Sequence, residues 1–486
     1  MNVGRIFFFL FFMGTAGAFG CGMRGTVIKN AKGAMLPGAI VGTVLALFSG
    51  SSFLENNYYL LAGMGAAVMY FAGNMSCAQT VSLSEPDKEK SDRQRGIFGV
   101  WLKGTICCGL FASCVSVFIS VLSGGYTLTE IILFIIFMPV SAVLFCFIFN
   151  RPFNPEKNKF PRIYLSAGDP EIWGGLLGVL LETVIFSCIV KDWGAVVMTA
   201  GSMVFGGLSS LFALFLYIRT AFPDKKGRKF FGDANINGLV NSQKILECAF
   251  GAASALGIAV TYILAHSLFE GKLQALDSNG MTGFASERVS QIAAVAYCVL
   301  LATDCIQYFI PVNDDKKYQK RLLKNNLITK ETYEENLKKL TYQPTEKYLK
   351  YKNICEKCEF AVYGALPLLL MLLGCGSVAE ITSFTVILLV LCREYAGKFL
   401  INENSSPVIK FFILLPSFVI AAVQIISGRA YNIKLAMLLY TVIYEGGFLL
   451  FNLTENRHIQ LDQRTVHGYF LLCCIALNLF LLLALN

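Results

Sequence analysis

The sequence predicts an all-α fold: a polytopic transmembrane helical bundle of about 14 spans with both termini outside. Three observations carry this reading. Only 15% of the 486 residues are charged, where a soluble domain carries roughly 25%, and the mean hydropathy is +0.59. The apolar residues are gathered into long blocks, and about 20 such residues in a helix cross a ~30 Å hydrocarbon core. Lysine and arginine alternate strongly between successive loops. A β-barrel would instead alternate apolar and polar residues over segments of about 10, and no such pattern is present.

In chain order the expected spans are 6–20, 34–49, 58–82, 97–122, 127–149, 174–190, 193–218, 244–269, 289–311, 359–377, 379–400, 410–427, 435–452 and 467–485. Loops of one set, starting with 21–33, hold 34 Lys and Arg, and the opposite set with the N-terminus holds 6. Positive residues accumulate on the cytoplasmic side, which makes the first set cytoplasmic and places the termini outside. Met1–Gly20, with Arg5 and small residues before Cys21, has the make-up of a signal peptide. Cleavage would put Arg24, Lys29 and Lys32 on the wrong side, so the first span is expected to be retained. The domains expected are 1–311 (spans 1–9), a basic insert at 312–358, and 359–486 (spans 10–14). Seven spans in each half would make any repeat inverted, but the halves share no residue-level similarity.

The formal charge of +9 follows from the basic loops and calls for no nucleic acid. Most of the 16 cysteines lie in apolar blocks, where a thiol acts as a small hydrophobe. The lone CxxC, Cys355 and Cys358, has no second pair, and His266, His458 and His467 lack metal-ligand spacing. Neither GxxxxGK[ST] nor GxSxG occurs, so no ATP-driven engine or serine hydrolase is indicated. No metal, cofactor or catalytic residue is assigned.

In the insert, Leu322, Leu323, Leu327, Ile328, Leu337 and Leu340 fit two short amphipathic helices, with Thr329 as an N-cap. Residues 322–340 resemble a small bacterial helical-hairpin module with an LITxExYExxKxxL pattern. That likeness implies packing or self-association, hence a homo-oligomer, rather than chemistry.

Two sets of residues are candidates for function. The stretch GCGMRGTVIKNAKGAM, residues 20–35, joins two blocks of about 15 and 16 residues. Each covers roughly 23 Å, short of the core, so the glycine-flanked middle is expected to dip into the membrane or to end at a broken helix. Gly22, Gly25, Arg24, Lys29 and Lys32 then form an anion-binding, substrate-facing site. Glycine breaks free backbone N–H groups, and arginine offers a planar fork to carboxylate or phosphate. The competing reading is an ordinary basic loop obeying the charge rule. Gly38 and Gly42 form a GxxxG packing pair. The segments GCGMRG and KGAMLPGAIVG are similar to a GxGxRG…GAMxPGALxG signature in multi-pass bacterial membrane proteins of uncharacterised function. The resemblance implies a bacterial inner-membrane protein and no substrate. A His-Glu pair that often precedes GAM there is replaced here by Asn30, Ala31 and Lys32.

The second set is acidic. Glu182, Asp304 and Glu445 lie within apolar blocks. A charge at mid-membrane costs a few kcal/mol, so such residues face a cavity or a partner. They are the candidate ion-coupling residues. The alternative is protonated carboxyls bonded within the bundle, or pairs with Lys103 or Arg24. Asn74 is expected to bond between helices, and Asp169 and Pro170 to start a helix ahead of Trp173. Three function classes follow. First comes an ion- or proton-coupled secondary transporter or flippase for an anionic small molecule or lipid-linked substrate. The others are a membrane-embedded enzyme on a lipid-linked substrate and an assembly or signalling scaffold.

Overall fold

The computed structural model describes residues 3–24, 30–75, 77–150, 163, 165, 171–222, 242–282, 284–305, 323, 329–339, 354 and 358–395. Among these the structure is all helical, without strands. The elements are α1 (Val3–Met23), α2 (Asn30–Leu47), α3 (Ser52–Asn56), α4 (Tyr59–Gly73), α5 (Cys77–Leu83), α6 (Lys90–Leu122) and α7 (Leu128–Phe145). Then come α8 (Trp173–Ile189), α9 (Trp193–Ala221), α10 (Ser242–Asn279), α11 (Glu287–Cys305), α12 (Lys330–Lys339), α13 (Leu366–Leu372) and α14 (Gly376–Tyr395). Every expected span from 6–20 to 379–400 is occupied wholly or partly by helix. The last three spans lie outside the described residues. Five helices are long and apolar enough to cross a membrane: Val3–Gly22, Lys90–Leu122, Leu128–Asn150, Trp193–Ala221 and Ser242–Asn279. They are compatible with a membrane-embedded, multi-pass chain.

Several boundaries differ from expectation, each for a local reason. α1 has 21 residues and α2 has 18, about 31 Å and 27 Å at helical rise, so neither is as short as its apolar block. The glycines at 20 and 22 stay helical because close packing uses them: a Cβ on Gly20 would lie 2.6 Å from Pro37 Cα, and one on Gly22 2.6 Å from Cys248 Sγ. The expected span 58–82 is two helices, α4 and α5. Asn74, at the break, donates through Nδ2 to Tyr70 O (2.9 Å) of its own helix rather than to a neighbour. α8 begins at Trp173, three residues beyond Pro170, with Asn150 Oδ1 taking the Gly174 N–H at 2.6 Å. Asp169 and Pro170, expected to start this helix, lie outside the described residues. In the insert, Thr329 caps α12 as expected, its Oγ1 accepting from Thr332 N at 3.2 Å.

The helices meet along seams of small residues. A Cβ on Gly17 of α1 would stand 2.0 Å from Gly251 O of α10, and the reverse substitution would meet Gly17 O at 2.0 Å. Gly38 and Gly42 of α2 lie against Gly65 and Leu61 of α4 in the same manner. This is the close approach that GxxxG spacing permits. α6 occupies the middle, packed against α4, α5, α8, α9 and α10, and its apolar part is buried almost throughout. α7 is its opposite, with Ile132, Leu133, Ile136, Phe137, Val140 and Val143 all exposed. An apolar helix exposed in this way is compatible with a lipid-facing span.

Candidate functional site

Contacts between helix termini define two ends of the bundle. At one end α1 finishes beside the end of α4 and the start of α10. At the other, the start of α1 reaches α3, and the end of α10 reaches α6 and the start of α9. The first is called the basic end.

Arg24 and Gly22 lie at the basic end. Lys244 Nζ donates to Gly22 O (2.9 Å) and Arg24 O (2.8 Å) and pairs with Glu247. Arg24 Nη2 donates to Gly73 O, the last residue of α4, at 3.3 Å. Both cations therefore satisfy orphan carbonyls at helix C-termini, where positive charge is favoured. Lys32 is buried and paired elsewhere: its Nζ is 2.7 Å from Glu359 Oε1 and 4.5 Å from the Tyr363 ring centre. Gly25 and Lys29 lie outside the described residues. The structure thus brings Gly22 and Arg24 together through Lys244, which sequence reasoning did not single out, and sends Lys32 to a different helix.

Deeper at the basic end is a buried ion pair. Lys103 Nζ lies 3.0 Å from Glu171 Oε1 and 2.7 Å from Thr80 Oγ1. Glu171 Oε2 accepts from Leu165 N (2.9 Å) and Trp173 Nε1 (3.1 Å). The side chains are 2% and 4% exposed, so the pair is fully desolvated, and its hydrogen bonds are what make that tolerable. Lys103 is engaged by Glu171, an acid just ahead of α8.

The opposite end is organised by carboxylates. Asp192, the N-cap of α9, is 2.6 Å from Lys272 Nζ through Oδ1 and also accepts from Ala195 N (3.1 Å). Its Oδ2 accepts from Ser120 Oγ (2.6 Å) and Tyr126 OH. Burial alone would push this carboxyl up. The Lys272 charge and the Lys272, Ser120 and Tyr126 donors more than reverse that, and its pKa falls below the usual 3.8. Asp277 Oδ1 accepts from Ser51 Oγ (2.7 Å), Ser52 Oγ (3.1 Å) and Phe53 N (2.9 Å), tying α10 to the start of α3. Arg5 pairs with Glu55 nearby.

Of the candidate coupling acids, Glu182 is described in full. It lies nine residues into α8, about 14 Å from the basic end by helical rise, and near the middle of its helix. Its Oε2 is buried without a hydrogen-bond partner among the described residues, and Cys114 of α6 stands within its electrostatic reach. Asp304 falls in the last turn of α11, and its side chain lies outside the described residues, as does Glu445. A further acid, Glu380 of α14, also has a buried oxygen, Oε1, without a partner. Its signal in the sequence was weak because it stands one residue inside an expected span boundary.

A cavity of about 30 Å³ lies where α1, α2, α4, α6 and α10 meet, lined by Cys21, Pro37, Met69, Cys107, Cys108 and Gly251 among others. It is large enough for roughly a single water molecule. Among the described residues no group of three or more His, Cys, Asp or Glu is placed to hold a metal. Comparison with protein families, with curated proteins and with solved structures gives no match.

Proposed function

We propose that the chain is a multi-pass protein of a bacterial inner membrane that acts as a proton- or ion-coupled secondary transporter or flippase. Its substrate in this reading is an anionic small molecule or a lipid-linked anion. The observation that carries the proposal is Glu182, a carboxyl at mid-helix in an apolar segment with a buried oxygen that nothing among the described residues bonds. An ionised carboxyl so placed costs several kcal/mol. Such a group persists where it takes up and releases a proton or cation. The basic end supports the anionic substrate class. Arg24 and Lys244 lie together there, and Arg24 Nη2 meets Gly73 O at only 3.3 Å, a long bond that an anion would displace. Asp304 and Glu445 remain candidate coupling residues, and the 312–358 insert a candidate self-association element.

The test is uptake by the full chain reconstituted in liposomes under an imposed pH gradient. The substrates would be a panel of carboxylates, phosphates and lipid-linked phosphates preselected by thermal stabilisation of the purified protein. Glu182→Gln is expected to abolish gradient-driven uptake while keeping the wild-type unfolding temperature. Arg24→Gln is expected to weaken stabilisation by the anion. Uptake in Glu182→Gln equal to wild type would overturn the coupling role.

A further inference from the structure

We propose that Cys107 and Met69, with Cys108 beside them, bind a soft monovalent metal ion of the copper(I) class. The place is the cavity of about 30 Å³ where α1, α2, α4, α6 and α10 meet. Cys107 Sγ of α6 donates to Met69 Sδ of α4 at 3.8 Å. With sulfur–metal bonds of about 2.3 Å, that separation gives an S–metal–S angle of about 110°, suited to a three- or four-coordinate ion. Cys108 lines the same cavity and brings a third sulfur to it. The donor set is thus two thiols and a thioether, which select soft ions over magnesium, calcium or manganese.

Packing alone accounts for other thiols of the bundle: Cys114, for example, is buried and accepts from Ser113 Oγ at 4.0 Å. Cys107 differs because its sulfur meets a second sulfur at the wall of a void. That void has little to offer water, which needs two to four polar partners. Among the described lining residues, Ser254 alone has a side-chain oxygen or nitrogen, and its Oγ already donates to Gly251 O at 3.2 Å. Charge selects the ion further. A monovalent cation takes the place of the Cys107 thiol proton, which leaves to solvent. The S–H bond breaks, an S–metal bond forms, and no oxidation state changes. Metal plus one thiolate is then neutral, as an apolar site requires. Zinc would need a second thiolate, and its usual ligands do not include a thioether. Cys107 lies one turn, about 6 Å, further in than Lys103. Cys77, exposed at the start of α5, is within its electrostatic reach and places a thiol on the approach from the basic end.

The test is retention of Cu(I) by the purified full-length protein in detergent, under reducing, oxygen-free conditions. A competing Cu(I) chelator strips ions held weakly by scattered thiols. Wild type, Cys107→Ser, Met69→Leu and Cys188→Ser would be compared, the last removing an exposed thiol of α8 that does not line the cavity. Expected is one tightly held Cu(I) per chain in wild type and Cys188→Ser, lost in Cys107→Ser. Met69→Leu should hold it at least about tenfold more weakly. X-ray absorption at the copper edge should show sulfur-only coordination. Wild-type retention in Cys107→Ser and Met69→Leu would overturn the proposal, as would equal loss in Cys188→Ser or no Cu(I) held by wild type. Zn(II) held as tightly as Cu(I) would overturn the choice of a monovalent ion. If Cys107→Ser does not fold, Met69→Leu decides alone, since it keeps the side-chain volume and removes the sulfur. Metal binding needs no substrate or gradient, so a failure here is separate from a failure of transport.

Discussion

At the basic end, Lys244 and Arg24 donate to the last carbonyls of α1 and α4, whereas at the opposite end Asp192 and Asp277 accept from the first amides of α9 and α3. The two ends present opposite poles of the helix dipole wherever these helices terminate, and each recruits the complementary charge. They differ in depth. The basic end adds a pair, Lys103 and Glu171, that is cut off from water, while Lys272 opposite stays 22% exposed. Charge on this protein is thus placed by helix polarity first, and the distance from water decides how much each pair matters.

Breaking the buried pair is expected to have the largest effect. Lys103→Ala would strand Glu171 in an apolar site and cost about 3–5 kcal/mol, read from unfolding in mixed micelles. Lys103→Met combined with Glu171→Gln should recover most of that loss. A single-variant cost near zero would erase the contrast in depth. Lys272→Ala should cost less, roughly 2–3 kcal/mol at pH 7, because Ser120, Tyr126 and Ala195 N still donate to Asp192.

That second variant also has a pH signature. With its pKa held below the ordinary value, Asp192 stabilises the wild type above about pH 3.9, and that contribution is lost as pH falls through the lower folded value. Without Lys272, burial pushes the carboxyl the other way, so acid relieves the variant. The gap between the two unfolding curves should therefore narrow from pH 7 towards about pH 4. A gap constant over that range would mean the Lys272 charge does not set Asp192. The smallest effect is expected for Arg24→Gln, under about 1 kcal/mol, since only one long bond of 3.3 Å and the charge at the α4 terminus are lost. A larger loss would show that the basic end carries structure through Arg24 itself.

Much of the framework was legible because it depends on near neighbours in sequence. Apolar block length located the helices, Thr329 announced a helix start, and Gly38 and Gly42 announced a close helix contact. The charged contacts were less legible, since their partners come from afar or have no side chain. Lys103 meets an acid 68 residues away, and Lys32 meets one 327 residues away. Arg24 and Lys244 bind backbone carbonyls, which every residue type offers. The short-block argument for residues 20–35 counted every glycine as a break, although Gly20 and Gly22 lie within α1 and let it press against α2 and α10. Glu182 was readable as an acid in an apolar run, whereas Glu380 stood too near a boundary to stand out.

The 68-residue separation has a consequence for how the chain is made. At roughly 5–20 residues per second, Glu171 follows Lys103 out of the ribosome by roughly 3–14 s. Thr80 is already present by then, but a hydroxyl does not neutralise an ammonium. During that interval Lys103 lacks the counter-charge that Glu171 supplies. Only when Glu171 arrives is that pair complete. The pair that the fold seals from water is thus completed only after α7 has been made.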